Sequence, residues 1–377
     1  MKAKNAEKFF FRNIIFIFIF FVSAISANGM DEKASSVSSP DKEYRTITDM
    51  AGRKVKIPVK ISKVLSTSPP PTTFIYMLAP EKLGGWVAAP SKDAGKLLPK
   101  EYHKIPTFGW GRGSTNYESY IAARPDLVFI GVEVELDPSR AETVQEKFGT
   151  IPVVCIENSR NATGYAKTIT FMGDVLGVPE RAKKLNDYYL GVLKEVQDKV
   201  AGIPKEKRTR IYYAEGNNGL STDPSGSLHS QLIDICGGNN VAVCSDLSVS
   251  GMTAVTMESV LMWKPDVIIT TSRNLMEQVY NDQSWKMIPA VKKRNIHLTP
   301  SKPFNWFDRP PGVNRIVGIP WTAHILYPDL FPEEWFRTKA KKFYSLFYHY
   351  DLTDKELTDL LSGENTTISG REKIEKK

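Results

Sequence analysis

The segment Thr256-Met257-Glu258-Ser259, which leads through an apolar run to Lys264-Pro265-Asp266-Val267-Ile268-Ile269, decides the fold predicted for this chain. A second copy lies upstream, where Asn116-Tyr117-Glu118-Ser119 leads to Arg124-Pro125-Asp126-Leu127-Val128-Phe129-Ile130. In both copies Glu-Ser opens the segment, a basic residue precedes Pro-Asp, and a buried-type strand follows. Because a proline disfavours helix in the residue before it, each copy predicts a short helix followed by a strand of a parallel sheet. The duplication predicts two lobes of similar build.

Strand-like and helix-like segments alternate around the two repeats. Tyr44 to Val59 is typical of a hairpin that turns at Gly52, and Val64-Leu65-Ser66 of a strand that precedes a helix. In the second half, Arg210 to Ala214 and Ile296 to Leu298 have the same strand character. The alternation predicts the α/β class, with two Rossmann-like lobes that have parallel central sheets. Four further segments are assigned in the same way: a β unit beginning at Leu83 to Val87, and helices from Leu228 to Cys236, Gly312 to Leu326 and Pro332 to Tyr348.

A long helix is predicted between the two halves. Gly177 ends one helix, Pro179 suits the first turn of the next, and apolar residues at three- and four-residue spacing continue to about Val200. A helix of roughly 22 residues is about 33 Å long at 1.5 Å per residue, which is enough to join two lobes. No Gly/Ser-rich linker occurs here, and so the connection is expected to be stiff and the closure of the lobes small.

These patterns give the following division of the chain. Residues 1–27 are a signal peptide, 28–43 a disordered lead-in, 44–164 the N-terminal lobe, 165–203 the helical connection, 204–362 the C-terminal lobe and 363–377 a charged tail. The signal peptide is predicted from a basic start, the unbroken apolar run Ile14 to Val22 and small residues around Ser23 to Ala27. No cysteine for a lipid anchor lies near this region, and we expect a periplasmic or extracytoplasmic protein.

The net charge and the cysteine content bear on nucleic-acid binding and on disulfide formation. The formal net charge is +8, and removal of the signal peptide, with four basic residues and one acidic residue, leaves about +5. Without an arginine-rich run, this modest excess gives no reason to expect nucleic-acid binding. Cys155, Cys236 and Cys244 are an odd set; Cys236 and Cys244 could form a disulfide or remain buried thiols.

With these motifs in place, the chain resembles the substrate-binding proteins of ABC importers for ferric siderophores, cobalamin and related metal chelates. The resemblance covers about Thr46 to Leu361 and depends on the paired Glu-x(6)-Pro-Asp units, the segment Leu232 to Ala242, the rigid helix between the lobes and the segment Trp306-Phe307-Asp308-Arg309-Pro310-Pro311. It implies a monomer that captures an iron chelate, most simply a ferric siderophore, and delivers it to an ABC permease dimer. It implies no enzymatic activity, no catalytic cofactor and no membrane contact except through the permease.

The resemblance also assigns a role to one acidic residue of each repeat. By position in the motif, Glu118 and Glu258 would meet arginines of the permease, one from each lobe. Each carboxylate could instead complement the positive end of its own helix.

The ligand is expected beyond the carboxyl ends of the strands, where four loops lie. The side chains proposed to bind it are Ser66, Ser68, Trp110, Arg112, Glu215, Ser227, His229, Trp306, Phe307 and Arg309. Aromatic rings would cover the apolar body of a chelate, and arginines would neutralise its carboxylates or catecholates. Arg112, which glycines flank, is the first candidate, whereas each tryptophan could be core and Arg309 could pair with its neighbour Asp308.

His229 is a possible ligand to a metal or to an oxoanion. The histidines of the chain form no i, i+4 pair, which disfavours a bare transition-metal site with several histidine and carboxylate ligands. Cobalamin, a nickel chelate and a molybdate-type oxoanion remain alternatives as ligand. An exported enzyme using Ser227, His229 and Glu215, or a sensor or adhesin on the same scaffold, are the alternatives from other classes, although no nucleophile-elbow or P-loop pattern occurs.

Overall fold

The computed structural model describes residues 43–109, 115–132, 138–157, 161–244 and 251–362. The predicted signal peptide, nearly all of the lead-in, the charged tail, Trp110 and Arg112 lie outside these residues. No helix among them is long and apolar enough to cross a membrane.

The described chain alternates between strands and helices. The strands are β1 Tyr44–Thr48, β2 Lys54–Pro58, β3 Val64–Ser66, β4 Leu127–Val132, β5 Val153–Glu157, β6 Arg210–Ala214, β7 Ser221–Thr222, β8 Asn239–Asn240, β9 Thr253–Ala254, β10 Val267–Thr270 and β11 Ile296–Leu298. The helices are α1 Pro69–Leu78, α2 Tyr117–Ala122, α3 Pro138–Phe148, α4 Tyr165–Leu176, α5 Pro179–Val200, α6 Gln231–Ile235, α7 Met257–Trp263, α8 Arg273–Gln278, α9 Pro289–Lys292, α10 Arg315–Leu326, α11 Glu333–Phe347 and α12 Asp354–Ser362.

Two parallel sheets form the centres of the lobes, which confirms the predicted fold class. In the N-terminal lobe the strand order is β3-β4-β5, and in the C-terminal lobe it is β11-β10-β6-β8. The β1–β2 hairpin and the β7–β9 pair are antiparallel. The hairpin turns at Gly52, whose φ of 85° is accessible without strain only to glycine.

The two sequence repeats fold in the same way. Asn116 and Thr256 are the N-caps of α2 and α7, and each side chain accepts a hydrogen bond from the backbone N–H three residues on. Each helix ends before its proline, as the sequence predicts, and the chain then enters β4 or β10. The backbone N–H of Asp126 donates to the carbonyl of Lys63, directly before β3, at 2.8 Å. The backbone N–H of Asp266 donates to the carbonyl of Arg210, the first residue of β6, also at 2.8 Å.

The connection between the lobes is a helical hairpin. α4 ends at Gly177, with φ 71°, and α5 runs for 22 residues from Pro179 to Val200, as predicted. α5 packs against α4 and, on the side of the C-terminal lobe, against α10. Gly173 allows this close packing, since a Cβ there would lie 2.3 Å from the Cβ of Ala182.

Some local predictions are wrong. Leu83 to Val87 forms no strand, only single parallel bridges from Leu83 to Val64 and from Trp86 to Thr107, because two glycines and a buried tryptophan interrupt the pairing. The helix predicted from Leu228 begins only at Gln231, because residues 224–230 form turns held by backbone and serine hydrogen bonds. The short helices α3, α8, α9 and α12 were not predicted. All three cysteines are free thiols, and Cys236 donates its S–H to the carbonyl of Ile319 at 3.3 Å.

Candidate ligand-binding site

Both sheets have a point where the chain leaves neighbouring strands in opposite directions. In the C-terminal lobe β6 lies between β8 and β10, and in the N-terminal lobe β3 lies between the bridge at Leu83 and β4. Ligands of open α/β sheets bind outside the carboxyl ends of the strands at such points. Ser66 ends β3, and Glu215 directly follows β6. These two residues therefore mark the candidate site on the two lobes.

Among the described residues, the N-terminal side of the site offers few hydrogen-bond donors. The hydroxyl of Ser66 is buried and is paired with Thr72 at 2.6 Å, while the hydroxyl of Ser68 is buried without a partner in the described structure. Pro69, Pro70 and Pro71 are the first three residues of α1, and they have no backbone N–H. The helix end that often binds an anion therefore lacks the N–H groups that would do so.

The C-terminal side is a buried cluster of carboxylates around Arg309. Its Nε donates to Glu215 Oε1 at 2.7 Å and lies 3.2 Å from Asp308 Oδ2, and its Nη2 donates to Asp223 Oδ2 at 2.5 Å. The side chains of the three acids are 2% exposed or less, whereas that of Arg309 is 28% exposed. The guanidinium therefore covers the carboxylates on their solvent side.

The backbone around Arg309 and Gly251 is shaped to this contact. Arg309 has φ 61°, in the left-handed region that a non-glycine residue rarely adopts. Gly251 has φ 71°, and a Cβ there would lie 2.5 Å from Asp223 Oδ1 and 2.6 Å from Arg309 Nη2. Only glycine fits against the ion pair at this position.

His229 belongs to the same cluster. Its Nδ1 lies 2.9 Å from both oxygens of Asp308, and its backbone N–H donates to Ser227 Oγ at 3.2 Å. Ser227 in turn donates to Asp223 Oδ1 at 2.8 Å. Because the Asp308 carboxylate can only accept, this hydrogen bond requires a proton on Nδ1.

The cluster changes the protonation of its members. Burial, the largest cause, and the neighbouring Asp223 raise the pKa of Glu215 to about 8, although Arg309 opposes this shift. Burial alone would lower the pKa of Arg309, but the hydrogen bond to Glu215 and the charges of Asp308 and Asp223 outweigh burial and raise it. Arg309 thus stays charged, while Glu215 binds a proton at neutral pH.

Three members of the cluster have the arrangement of metal ligands. Asp223, His229 and Asp308 are buried, and one ligand atom from each lies within 4.8 Å of the other two. A carboxylate–imidazole set of this kind suits iron, cobalt, nickel or zinc. The sequence disfavours a bare site with several histidine and carboxylate ligands, and this stays a prediction beside the geometry of the cluster. It depended on histidine pairs, whereas this cluster combines one histidine with two aspartates.

Two of the proposed aromatic walls are in the core instead. Trp306 and Phe307 are 0% exposed. Trp306 packs against Phe336 and donates its indole N–H to Tyr344 Oη at 3.2 Å, and Phe307 packs against Tyr213 with ring centroids 4.8 Å apart. A ring with no exposed surface forms no wall of a cleft in this conformation, and the prediction for both residues is corrected accordingly.

The structure brings together Glu215, Ser227, His229 and Arg309 of the predicted residues, and places Ser66 and Ser68 at the end of the other sheet. Sequence reasoning missed Asp223, and it considered Asp308 only as an ion-pair partner of Arg309. Asp308 adjoins a residue that was singled out, but Asp223 stands in a Gly- and Ser-rich loop with no pattern around it. Only folding reveals their partnership, since Asp223 and Arg309 are 86 residues apart.

Glu118 and Glu258 occupy equivalent exposed positions in the first turns of α2 and α7. Neither forms an ion pair with another residue that the structure describes. The pKa of Glu258 is lowered by hydrogen bonds at the helix start, from its own backbone and from Thr256. Met262, one turn further along α7, is 74% exposed.

Comparisons with known proteins agree with this architecture. The family model described as "Periplasmic binding protein" matches residues 59–303. The molybdate-binding protein MolA of Haemophilus influenzae is 27% identical over 337 residues, which is 83% of this chain and 93% of that protein. The high-affinity heme uptake system protein IsdE of Staphylococcus aureus is 24% identical over 246 residues, which is 62% of this chain and 79% of that protein.

A solved structure shows the same fold. The ABC transporter solute binding protein from Sulfurospirillum deleyianum is 30% identical, with a TM-score of 0.77 over 84% of this chain and 99% of that one. Together with the two parallel lobes and their helical connection, these similarities show that the chain belongs to the periplasmic binding protein family, the substrate-binding components of ABC importers.

Proposed function

We propose that this protein captures a small metal chelate, with iron favoured, between its lobes and delivers it to an ABC permease. The observation that carries the proposal is the buried cluster at the end of β6, where Asp223, His229 and Asp308 offer oxygen and nitrogen ligands. Such groups suit a metal centre whose chelator leaves coordination positions open. The relative from Staphylococcus aureus is named for heme, which is an iron chelate.

The burial of Trp306 and Phe307 narrows the kind of chelate. Without these rings, the proposed binding residues that the structure describes are all polar: Ser66, Ser68, Glu215, Ser227, His229 and Arg309. A bulky apolar ligand needs broad apolar walls, as most small-molecule sites have. A compact, hydrophilic chelate therefore fits better than cobalamin or a large siderophore with an apolar body.

A molybdate-type oxoanion is the second candidate, because MolA, the relative that matches 83% of this chain, is named for molybdate. The local charge opposes it, since the carboxylates of Asp223 and Asp308 and the carboxyl group of Glu215 surround the guanidinium of Arg309. The prolines at the start of α1 also remove the N–H groups that an oxoanion would use. The geometry thus favours the chelate over the oxoanion.

Delivery requires contact with the permease, for which Glu118 and Glu258 are the proposed residues. They are exposed, they stand at the same place in the two lobes, and they have no ion-pair partner among the described residues. A carboxylate on each lobe can form charge-assisted pairs with two permease subunits. Export from the cytoplasm by the predicted signal peptide is part of the same proposal.

Titration of the purified protein tests the choice of ligand. Ferric citrate, ferric siderophores, heme, cobalamin, nickel–histidine and molybdate are compared by isothermal titration calorimetry and tryptophan fluorescence. We expect saturable binding of a ferric chelate, weakened at least about tenfold in His229→Ala. His297→Ala is the matched control, because His297 is half-buried at β11 and lies outside the cluster. Saturation by molybdate alone would transfer the function to oxoanion uptake.

A further inference from the structure

We propose that Asp223, His229 and Asp308 bind a divalent transition-metal ion directly, and that the guanidinium of Arg309 is a tethered counter-ion that occupies this place until the metal arrives. The site stands on the residues of this chain alone. Its use for the metal centre of a captured chelate rests on the function proposed above.

The three ligand side chains and the hydrogen bonds between them support metal binding. One ligand atom from each of the three side chains lies within 4.8 Å of the other two, and all three residues are buried. Nδ1 of His229 lies 2.9 Å from both oxygens of Asp308, and a metal ion that replaced the proton of this hydrogen bond would be held by the imidazole and the carboxylate together. Nε2, which has no hydrogen bond to any residue in the part of the chain that the structure describes, would then carry the ring proton.

Unpartnered polar atoms buried at the cluster are a second observation that favours a cation site. Oε2 of Glu215 is buried and has no hydrogen-bond donor in the described structure, and its carboxyl group faces that of Asp223. The hydroxyl of Tyr213, which is 0% exposed, is likewise unpartnered beside these charges. Two facing carboxyl groups are stable only with a proton or a cation between them. Arg309 supplies a cation to one side of Glu215 and leaves the other oxygen unpaired.

Arg309 has the position of a removable cover. Its guanidinium bridges Glu215 and Asp223 and is 28% exposed, while the acids beneath it are at most 2% exposed. Guanidinium does not lose its proton, and so it competes with a metal at every physiological pH. Its contacts with Glu215, Asp223 and Asp308 are all ion pairs, and the guanidinium lies on the more exposed side of each.

A purely structural ion-pair network would behave differently when Arg309 is removed. In that case the unpaired carboxylates destabilise the protein, and an added metal ion does not restore the lost stability. If the cluster is a metal site, the same substitution frees the ligands, and a metal ion replaces the lost positive charge. Apparent metal affinity then rises by the reciprocal of the fraction of time during which Arg309 left the site open.

The experiment is a titration of the metal-free, untagged protein with Co²⁺ alone, followed by calorimetry, visible absorption and thermal melting. We expect saturable binding in the wild type, at least about tenfold tighter in Arg309→Met. Binding should be lost in His229→Ala and Asp223→Asn, and Co²⁺ should raise the melting temperature of Arg309→Met more than that of the wild type. Arg53→Met is the matched control, since Arg53 pairs with buried Asp49 at 2.6 Å and Asp49 belongs to no possible metal-ligand group among the described residues.

Arg309→Lys gives a second measurement if Arg309→Met does not fold. Lysine keeps the charge but cannot bridge the acids, and its Co²⁺ affinity should exceed that of the wild type. Absence of saturable Co²⁺ binding in the wild type and in both Arg309 variants that fold, or unchanged binding in His229→Ala, would overturn the proposal. Because no chelate is present, failure here leaves the chelate titration unaffected. Conversely, Co²⁺ binding without chelate binding retains the site and removes the proposed cargo.

Discussion

Arg124 and Lys264 have the same unusual backbone in the two lobes, with φ values of 50° and 43°. Each is a basic residue directly before a buried proline, at the end of α2 or α7. The left-handed turn redirects the chain so that the next aspartate can pair with the first parallel strand of its lobe. The connection from helix to strand therefore has the same backbone conformation in both lobes.

This backbone predicts an effect of glycine at Lys264. A side chain in the left-handed region costs about 1 kcal/mol, which glycine avoids. Lys264→Gly should therefore be about 1 kcal/mol more stable than Lys264→Ala in urea denaturation. Lys293→Gly against Lys293→Ala serves as the control, since Lys293 has an ordinary negative φ of −83°. Equal stability of the two Lys264 variants would show that the turn is not strained.

The proposed docking carboxylates predict a separation of uptake from binding. Glu118→Arg combined with Glu258→Arg should abolish uptake in cells by charge repulsion and leave the affinity for the ligand unchanged. Uptake of the radiolabelled ferric chelate and calorimetry on the purified variant measure the two effects. Glu206→Arg, an exposed acid on a short turn of the C-terminal lobe, is the control. A loss of ligand affinity in the double variant would contradict the docking role.

Trp306 is predicted to support the core and not the ligand. Replacement by alanine removes a large, fully buried ring and should destabilise the protein by about 3–5 kcal/mol. Trp306→Phe should cost less and should leave ligand affinity unchanged, because the indole contacts Phe336 and Tyr344 and not solvent. Chemical denaturation and ligand titration of Trp306→Phe check this expectation. A loss of ligand affinity in a stably folded Trp306→Phe variant would show that the ring contacts the ligand.

Glu215 predicts a specific dependence of stability on pH. Burial raises its pKa from 4.5 to about 8 in the folded protein. Between these two values the folded state binds more protons than the unfolded state, and so the contribution of Glu215 to stability falls as pH rises. The slope is at most about 1.4 kcal/mol per pH unit. Above pH 8 the whole penalty is present, and below 4.5 it is absent.

The Glu215→Gln variant isolates this effect. It keeps the shape of the side chain but cannot ionise, and the difference in unfolding free energy between variant and wild type should grow in favour of the variant from pH 5 to pH 8. Urea denaturation at each pH measures the difference. A constant difference over this range would show that Glu215 titrates normally.

The fold was largely predictable because its main signals are local. The repeats at Glu118 and Glu258, the glycine at 177 and the proline at 179 determine helix ends through backbone sterics. The short helices α3 and α8 were missed because their sequences are polar and lack a clear apolar face. The bridge at Leu83 was mistaken for a strand because apolar residues beside glycines resemble strand ends.

The site was predictable only in part, because its chemistry depends on partners that are distant in the chain. Glu215, His229 and Arg309 were identified from their loops, but no local pattern reveals that Asp223 faces them. Trp306 shows the converse problem: a tryptophan in a loop is compatible with either cleft or core. Only the packing of α11 against it decides for the core.

The three prolines at the start of α1 have a consequence for the order of events in capture. Among the described residues, they remove three backbone donors from the N-terminal side of the site, while the C-terminal side carries the cluster of Asp223, His229 and Asp308. In the function proposed above, a ligand in solution therefore meets its strong partners on the C-terminal lobe first. The N-terminal lobe then closes over a molecule that is already held, in a step whose rate does not depend on ligand concentration. Association should accordingly show two kinetic phases, only the first of which becomes faster as ligand is added.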